Sequence, residues 1–289
     1  MCYTIERRGD VRLIAPTALN RLRNCRAYYS TGFGGVSRMP GGCSMNLAMF
    51  KKCRNDTFEN VRENFRRFAE ACGFPLELMS LHREVHEPGV AVVRREDLPE
   101  DIFDRSAYGE ADVQVTADPS VALFVYAADC CTVMVADPER EVRGTAHCGW
   151  RNSVNGTIPA LMEAFERLGG RPGHSLAVVG PAISMAHYDL DDEAAERFTS
   201  LGFGDCLGGR RENGRLPVDL PRVNARQLTD CGVPAASLSV LPLCTWESRE
   251  LRLPSYRRDG GLNAMLGGVL FNPAAAASPA GPDPRPGCR

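Results

Sequence analysis

The chain has 289 residues, 44% of them apolar, and a formal charge of -2. That is enough apolar content for one large packed domain or two small ones, and the near-neutral charge leaves no electrostatic footprint for nucleic acid or an anionic membrane. No run of about 18 apolar residues is present to cross a bilayer, the first residues lack a secretory apolar segment, and the 12 cysteines in a chain this long point to reduced thiols, so a cytoplasmic protein is expected.

Taken in chain order, the first clear element lies at residues 56–72, where Val61, Phe65, Phe68 and Cys72 fall at helical spacing before Gly73. Residues 76–81 and 89–93 read as short strands around His86. Residues 112–116 alternate, 121–127 form a continuous apolar run, and 132–136 alternate again. Asp137-Pro138-Glu139-Arg140 reads as a turn and residues 142–146 as a strand. Ile158, Leu161, Met162, Phe165 and Leu168 form one helical stripe that ends at Gly169-Gly170. A strand is expected at 175–179, helices at 191–201 and 221–231, and a strand at 237–241. After Phe271 the chain becomes rich in Pro, Ala and Gly, a composition unsuited to packing. One mixed α/β domain over residues 1–271, followed by a disordered tail over 272–289, is the economical organisation.

Chemistry concentrates in two stretches. Cys130 lies in the run Tyr126-Ala-Ala-Asp-Cys130-Cys131, and His147 follows after 16 intervening residues in Ala146-His147-Cys148-Gly149-Trp150-Arg151. Each sits just past an apolar run, so two adjacent strands returning like a hairpin would bring them to one edge. His86, in Glu84-Val85-His86, stands in a similar context and could join from a third. One thiol and two imidazoles make a three-ligand set for a catalytic zinc with an open fourth position. Against this stands the plainer reading of a buried cysteine and two hydrogen-bonded core histidines. His82 shares a face with His86 on either backbone, as a supporting group or a surface residue. Cys131 should point away from Cys130 into the core. Asp129 could orient a ligand histidine, act as a base, or cap a turn. Ser255-Tyr256-Arg257-Arg258-Asp259-Gly260 is either a solvated turn or an anion-binding element.

With those residues placed, the chain resembles the bacterial YfiH/YlmD-type family, labelled polyphenol oxidase or laccase-domain proteins. Ser30-Thr31 with Gly34-Gly35-Val36-Ser37, Ser44-Met45-Asn46-Leu47, Glu84-Val85-His86, Ala111-Asp112 with Thr116, Ala128-Asp129-Cys130, the His147 segment, Gly180-Pro181-Ala182-Ile183, Cys244-Thr245 and residues 255–260 follow the family's motifs in order. The resemblance implies an α+β fold, a single domain of layered mixed β-sheets flanked by helices. It also implies a metal site of His86, Cys130 and His147, with Asp129, Cys130 and Arg151 as catalytic residues and Asn46, Arg257 and Arg258 at the substrate. The implied activity is zinc-dependent phosphorolysis of adenosine, inosine or methylthioadenosine together with adenosine deamination; the implied partners are a nucleoside and phosphate, with a monomer expected. The older alternative is copper-dependent oxidation of phenols, which only 5 histidines make hard to build. A third reading is a non-catalytic metal-binding member.

The chain also departs from the family pattern. Gly32 stands where the family has an arginine expected at substrate or phosphate, Glu84 replaces Gln, Cys148 replaces Ala, and Asn152 replaces Gly. The closing Thr-Gly-Arg has no clear counterpart in Gly260-Gly261-Leu262-Asn263. Arg38, Arg151, Arg257 and Arg258 are the arginines available to compensate.

Overall fold

The computed structural model describes residues 1–50, 56–261 and 266–276. Its strands are β1 (Tyr3–Arg8), β2 (Val11–Pro16), β3 (Arg26–Ser30), β4 (Met79–Ser80), β5 (Val90–Val92), β6 (Val113–Thr116), β7 (Ala122–Ala127), β8 (Cys131–Asp137), β9 (Val142–Cys148), β10 (Leu176–Val179), β11 (Asp189–Leu190), β12 (Leu216–Pro217), β13 (Leu238–Val240) and β14 (Leu266–Phe271). The helices are α1 (Thr17–Asn20), α2 (Phe58–Cys72), α3 (Trp150–Val154), α4 (Thr157–Arg167), α5 (Asp192–Ser200), α6 (Leu220–Asp230) and α7 (Pro273–Ala276).

Two sheets of 6 strands carry the architecture, in the orders β1-β2-β3-β14-β7-β4 and β13-β10-β8-β9-β6-β5, with β11 and β12 as a separate pair. The pairs β4–β7, β5–β6 and β10–β13 are parallel, and the others are antiparallel. Side-chain alternation along the strands explains how the sheets stack. Ile14, Tyr29, Val125 and Leu270 of the first sheet meet Met134, Ala136 and Val178 of the second. Their neighbours Leu13, Tyr28, Phe124 and Val269 face the opposite way and pack with Val61, Phe65 and Phe68 of α2. Beyond the second sheet, Val133, Val135, Ala177 and Val179 meet Leu161 and Phe165 of α4 and Val223 and Leu228 of α6. The layers therefore run helix, sheet, sheet, helices. Each fully covered Leu or Phe contributes roughly 1.5–3 kcal/mol. Because both faces are covered, β7 and β8 are buried from end to end, and β7 accordingly reads as a continuous apolar run.

The α+β expectation of layered mixed sheets holds. Helix α2 begins where Thr57 Oγ1 accepts from the backbone N–H of Asn60 at 3.2 Å, a side-chain cap worth about 1 kcal/mol. The sequence reading found no element before residue 56 and missed β1–β3, α3 and β14. Strand β1 lies at the sheet's edge and is largely polar, so it lacks an apolar stripe. Strand β14 carries Gly267-Gly268 because its neighbours already fill the space. A Cβ on Gly268 would lie 2.7 Å from the Tyr29 ring and 2.8 Å from Met134 Cε. Of the segment expected to be an unpacked tail, Asn272 is buried and Pro273–Ala276 form a helical turn; residues 277–289 lie outside the described residues.

Candidate metal centre

The site forms where the chain leaves the first sheet at the end of β7 and enters the second at β8. Cys130 occupies that crossover, directly after Asp129, whose φ of 85° is left-handed and costly for a residue with a side chain. The turn is pinned from outside. Ile183 N–H donates to the Asp129 carbonyl at 2.9 Å, Thr245 Oγ1 donates to Asp129 Oδ1 at 2.6 Å, and Arg257 N–H donates to Oδ2 at 2.7 Å. Burial raises the Asp129 pKa above the ordinary carboxylate value, against the hydrogen bonds from Thr245 and Arg257.

His147 lies near the end of β9, in register with Thr132 of β8. Cys130 therefore sits one residue outside the ladder that carries His147, as the hairpin argument anticipates. The third residue, His86, comes from a loop rather than a strand end and has φ 64°. One buried carboxylate holds both histidines. Asp112 accepts from the backbone N–H groups of Val85 (2.8 Å), His86 (3.2 Å) and Glu87 (3.2 Å). It also accepts from His147 Nδ1 at 2.7 Å and Asn152 Nδ2 at 2.9 Å. Asp112 thus fixes the His147 tautomer and leaves Nε2 as the ligand atom. The orienting carboxylate is Asp112 and not Asp129, whose oxygens are engaged with Thr245 and Arg257.

One donor atom from each of His86, Cys130 and His147 lies within 4.8 Å of the others, with the two rings 4.9 Å apart. Gly149 permits this approach. A Cβ there would stand 3.0 Å from Cys130 Sγ and 3.1 Å from His86 Nδ1. Glu84 closes the inner wall, its Oε1 accepting from Tyr126 N–H at 3.0 Å and its Oε2 lying 3.6 Å from His147 Nδ1. Burial works against charge on His147, but Glu84, Cys130 and Asp112 outweigh it and hold its pKa well above the ordinary imidazole value. The same pairing keeps Asp112 below the ordinary carboxylate value despite burial.

The triad opens onto a cavity of about 340 Å³ that Trp150, Arg151, Tyr188, Tyr256 and Arg257 also line. The Arg151 guanidinium carbon lies 4.8 Å from the Trp150 ring centre, and that of Arg257 lies 4.8 Å from Tyr188. Such stacking holds each fork while leaving N–H groups to face a ligand.

Two residues expected at the substrate do not line this cavity. Asn46 is buried elsewhere, where its Nδ2 donates to Asp56 Oδ2 at 2.7 Å and its Oδ1 accepts from Ala48 N–H. The Arg258 guanidinium donates to both Asp259 oxygens and to the carbonyls of Thr245, Trp246 and Leu253. Those bonds spend it on the turn, and only Arg257 of the double arginine reaches the cavity. His82 packs by Tyr108 and Ser80, away from the triad. Cys131 and Cys148 face each other across the β8–β9 ladder, fully buried. At Gly32 a Cβ would stand 2.3 Å from the Arg252 carbonyl oxygen, so no arginine fits there. Asn263, in the closing segment, lies outside the described residues. Sequence reasoning gave no role to Trp150, Tyr188 or Tyr256; Trp150 and Tyr256 stood within the His147 and double-arginine motifs, while Tyr188 carried no local signal.

Residues 26–271 match the family model described as multi-copper polyphenol oxidoreductase laccase. The chain belongs to this family. A relative named purine nucleoside phosphorylase, from Deinococcus radiodurans, is 34% identical over 245 residues, covering 85% of this chain and 88% of its own. A relative from an unknown prokaryotic organism named adenosine deaminase is 28% identical over 169 residues, covering 57% of this chain and 64% of its own. The solved structure of a hypothetical protein YfiH of Bacillus licheniformis superposes with TM-score 0.83 at 25% identity, covering 92% of this chain and 98% of its own. The laccase-like family thus includes members named for purine nucleoside chemistry.

Proposed function

We propose that this chain is a zinc-dependent enzyme of purine nucleosides, carrying out phosphorolysis of adenosine, inosine or methylthioadenosine, deamination of adenosine, or both. One observation carries the reading: a thiol and two imidazoles converge on a cavity lined by aromatic faces and two arginines. The donor set fits zinc, with one soft sulfur, two borderline nitrogens and an outer carboxylate on His147. When bound, the ion would supply Lewis-acid polarisation of an oxygen in the cavity.

The remaining work falls to the chain itself. Trp150, Tyr188 and Tyr256 offer apolar faces for a flat purine. Arg151 and Arg257 are exposed at the cavity and would hold phosphate through charge-assisted hydrogen bonds, taking the place of the arginine that Gly32 cannot supply. Asp129 positions Arg257 by accepting its backbone N–H. The relatives named for phosphorolysis and deamination support the same substrate class.

The family description favours a copper oxidase. With 5 histidines in the chain and one His/Cys group of this kind among the described residues, an electron-entry site plus a trinuclear cluster has too few ligands.

The deciding experiment is metal analysis of the purified protein combined with chromatography of a nucleoside panel, with and without phosphate. About one equivalent of zinc and release of adenine, hypoxanthine or inosine are expected. Bound metal without turnover of any nucleoside sinks the enzymatic reading, and phenol oxidation that vanishes on copper removal installs the alternative.

A further inference from the structure

Asn152 departs from the family's glycine, and its two amide arms have unequal surroundings. The residue is fully buried in α3. Its Nδ2 donates to Asp112 Oδ1 at 2.9 Å. An ionised carboxylate only accepts, so this bond fixes the amide's orientation. Oδ1 therefore faces away from Asp112, and it is buried without a hydrogen-bond partner. A buried carbonyl without a donor is costly and calls for an explanation.

The surroundings of Gly149 supply one. The position a Cβ would take on Gly149 lies 3.0 Å from Cys130 Sγ, 3.1 Å from His86 Nδ1 and 3.5 Å from Asn152 Oδ1. The unpartnered oxygen thus borders the same side-chain-free space as two members of the donor triad. Asp112, which presents His147, also aims Asn152.

We propose that Asn152 Oδ1 serves as a fourth, neutral donor to the ion that His86, Cys130 and His147 would hold. The inference rests on the metal reading above and extends it from three protein donors to four. An amide oxygen is a harder donor than sulfur or imidazole and raises the donor count, which favours a tetrahedral divalent ion over copper(I). As the only neutral oxygen in the set, it is the arm a substrate would displace most readily.

The alternative is that Asn152 only props Asp112, and cobalt(II) used as a spectroscopic probe of the full chain separates the two. Asn152→Ala should lower zinc affinity about tenfold, measured by chelator competition, and should shift the visible d–d bands of the cobalt form. Asn152→Asp keeps an oxygen at this position but can no longer donate to the ionised Asp112, so it should bind metal more tightly than Asn152→Ala if the oxygen is a donor. Thermal melting checks that each variant is folded. A cobalt spectrum unchanged by Asn152→Ala, or an affinity of Asn152→Asp no better than that of Asn152→Ala, overturns the proposal. If the parent chain takes up neither zinc nor cobalt, the metal reading itself fails. If metal is bound with Asn152 outside the shell, only this inference fails.

Discussion

His147 Nδ1 donates to Asp112 Oδ1 across 2.7 Å, and the same carboxylate accepts three backbone N–H groups from the His86 loop. Two histidines from distant segments are thereby set by one side chain. Asp112→Ala should weaken zinc binding about 10–100-fold, the usual range for an outer partner of a ligand. Competition with a chromogenic chelator checks this, and an affinity equal to the parent's would remove Asp112 from the site's design.

Gly149 is predicted to be as sensitive as a ligand. A methyl group there meets Cys130 Sγ at 3.0 Å and His86 Nδ1 at 3.1 Å, so Gly149→Ala must push the donors apart. Loss of metal uptake is expected while the circular dichroism spectrum stays that of the parent.

Placing an arginine at position 32 should harm the protein. The 2.3 Å approach to the Arg252 carbonyl is to rigid backbone, so Gly32→Arg should destabilise the fold by about 2 kcal/mol or more. Urea unfolding measures it; an unchanged midpoint would show that the 251–253 segment yields freely.

At the cavity, Arg151→Ala and Arg257→Ala should each raise KM for phosphate about tenfold or more, with a smaller effect on any deamination. Equal losses in both reactions would assign the arginines to the nucleoside instead.

Acid stability has a source far from the cavity. Burial opposes charge on Asp137, but Arg171 binds both its oxygens, at 2.9 and 3.1 Å, and backbone N–H groups add to this. Together they lower its pKa from 3.8 to about 2. The folded value lies below the unfolded one, so this stabilisation is complete above the unfolded value and is lost as pH falls through the folded one. It is worth up to about 2 kcal/mol. Asp137→Asn should lose that amount near neutrality and flatten the stability curve between pH 3.8 and about 2, as denaturant titrations would show.

The parts of this fold legible in the sequence are those that bury side chains on a regular period. Phe65 and Phe68 mark α2, and β7 reads as an unbroken apolar run because helix and second sheet cover its two faces. Cys130 and His147 were legible as a pair because their strands are consecutive in the chain. His86 was harder, since its loop is held by the Asp112 carboxylate, just before β6, and no local pattern records that bond. Arg257 and Arg258 are adjacent and chemically identical in sequence. Only the fold shows that one is spent on Asp259 and three carbonyls while the other faces the cavity. Tyr188 is brought to the wall by long-range packing and left no trace in its own neighbourhood.

Strand β14 lies between β3 and β7 in the first sheet, although it comes last in sequence among the described strands. During synthesis, β3 and β7 therefore stay unjoined until residues 266–271 emerge from the ribosome, and Cys130 hangs from the end of an unfinished sheet. A chain shortened before Leu266 would lose an inner strand rather than an appendage, exposing two unpaired strand edges to other molecules.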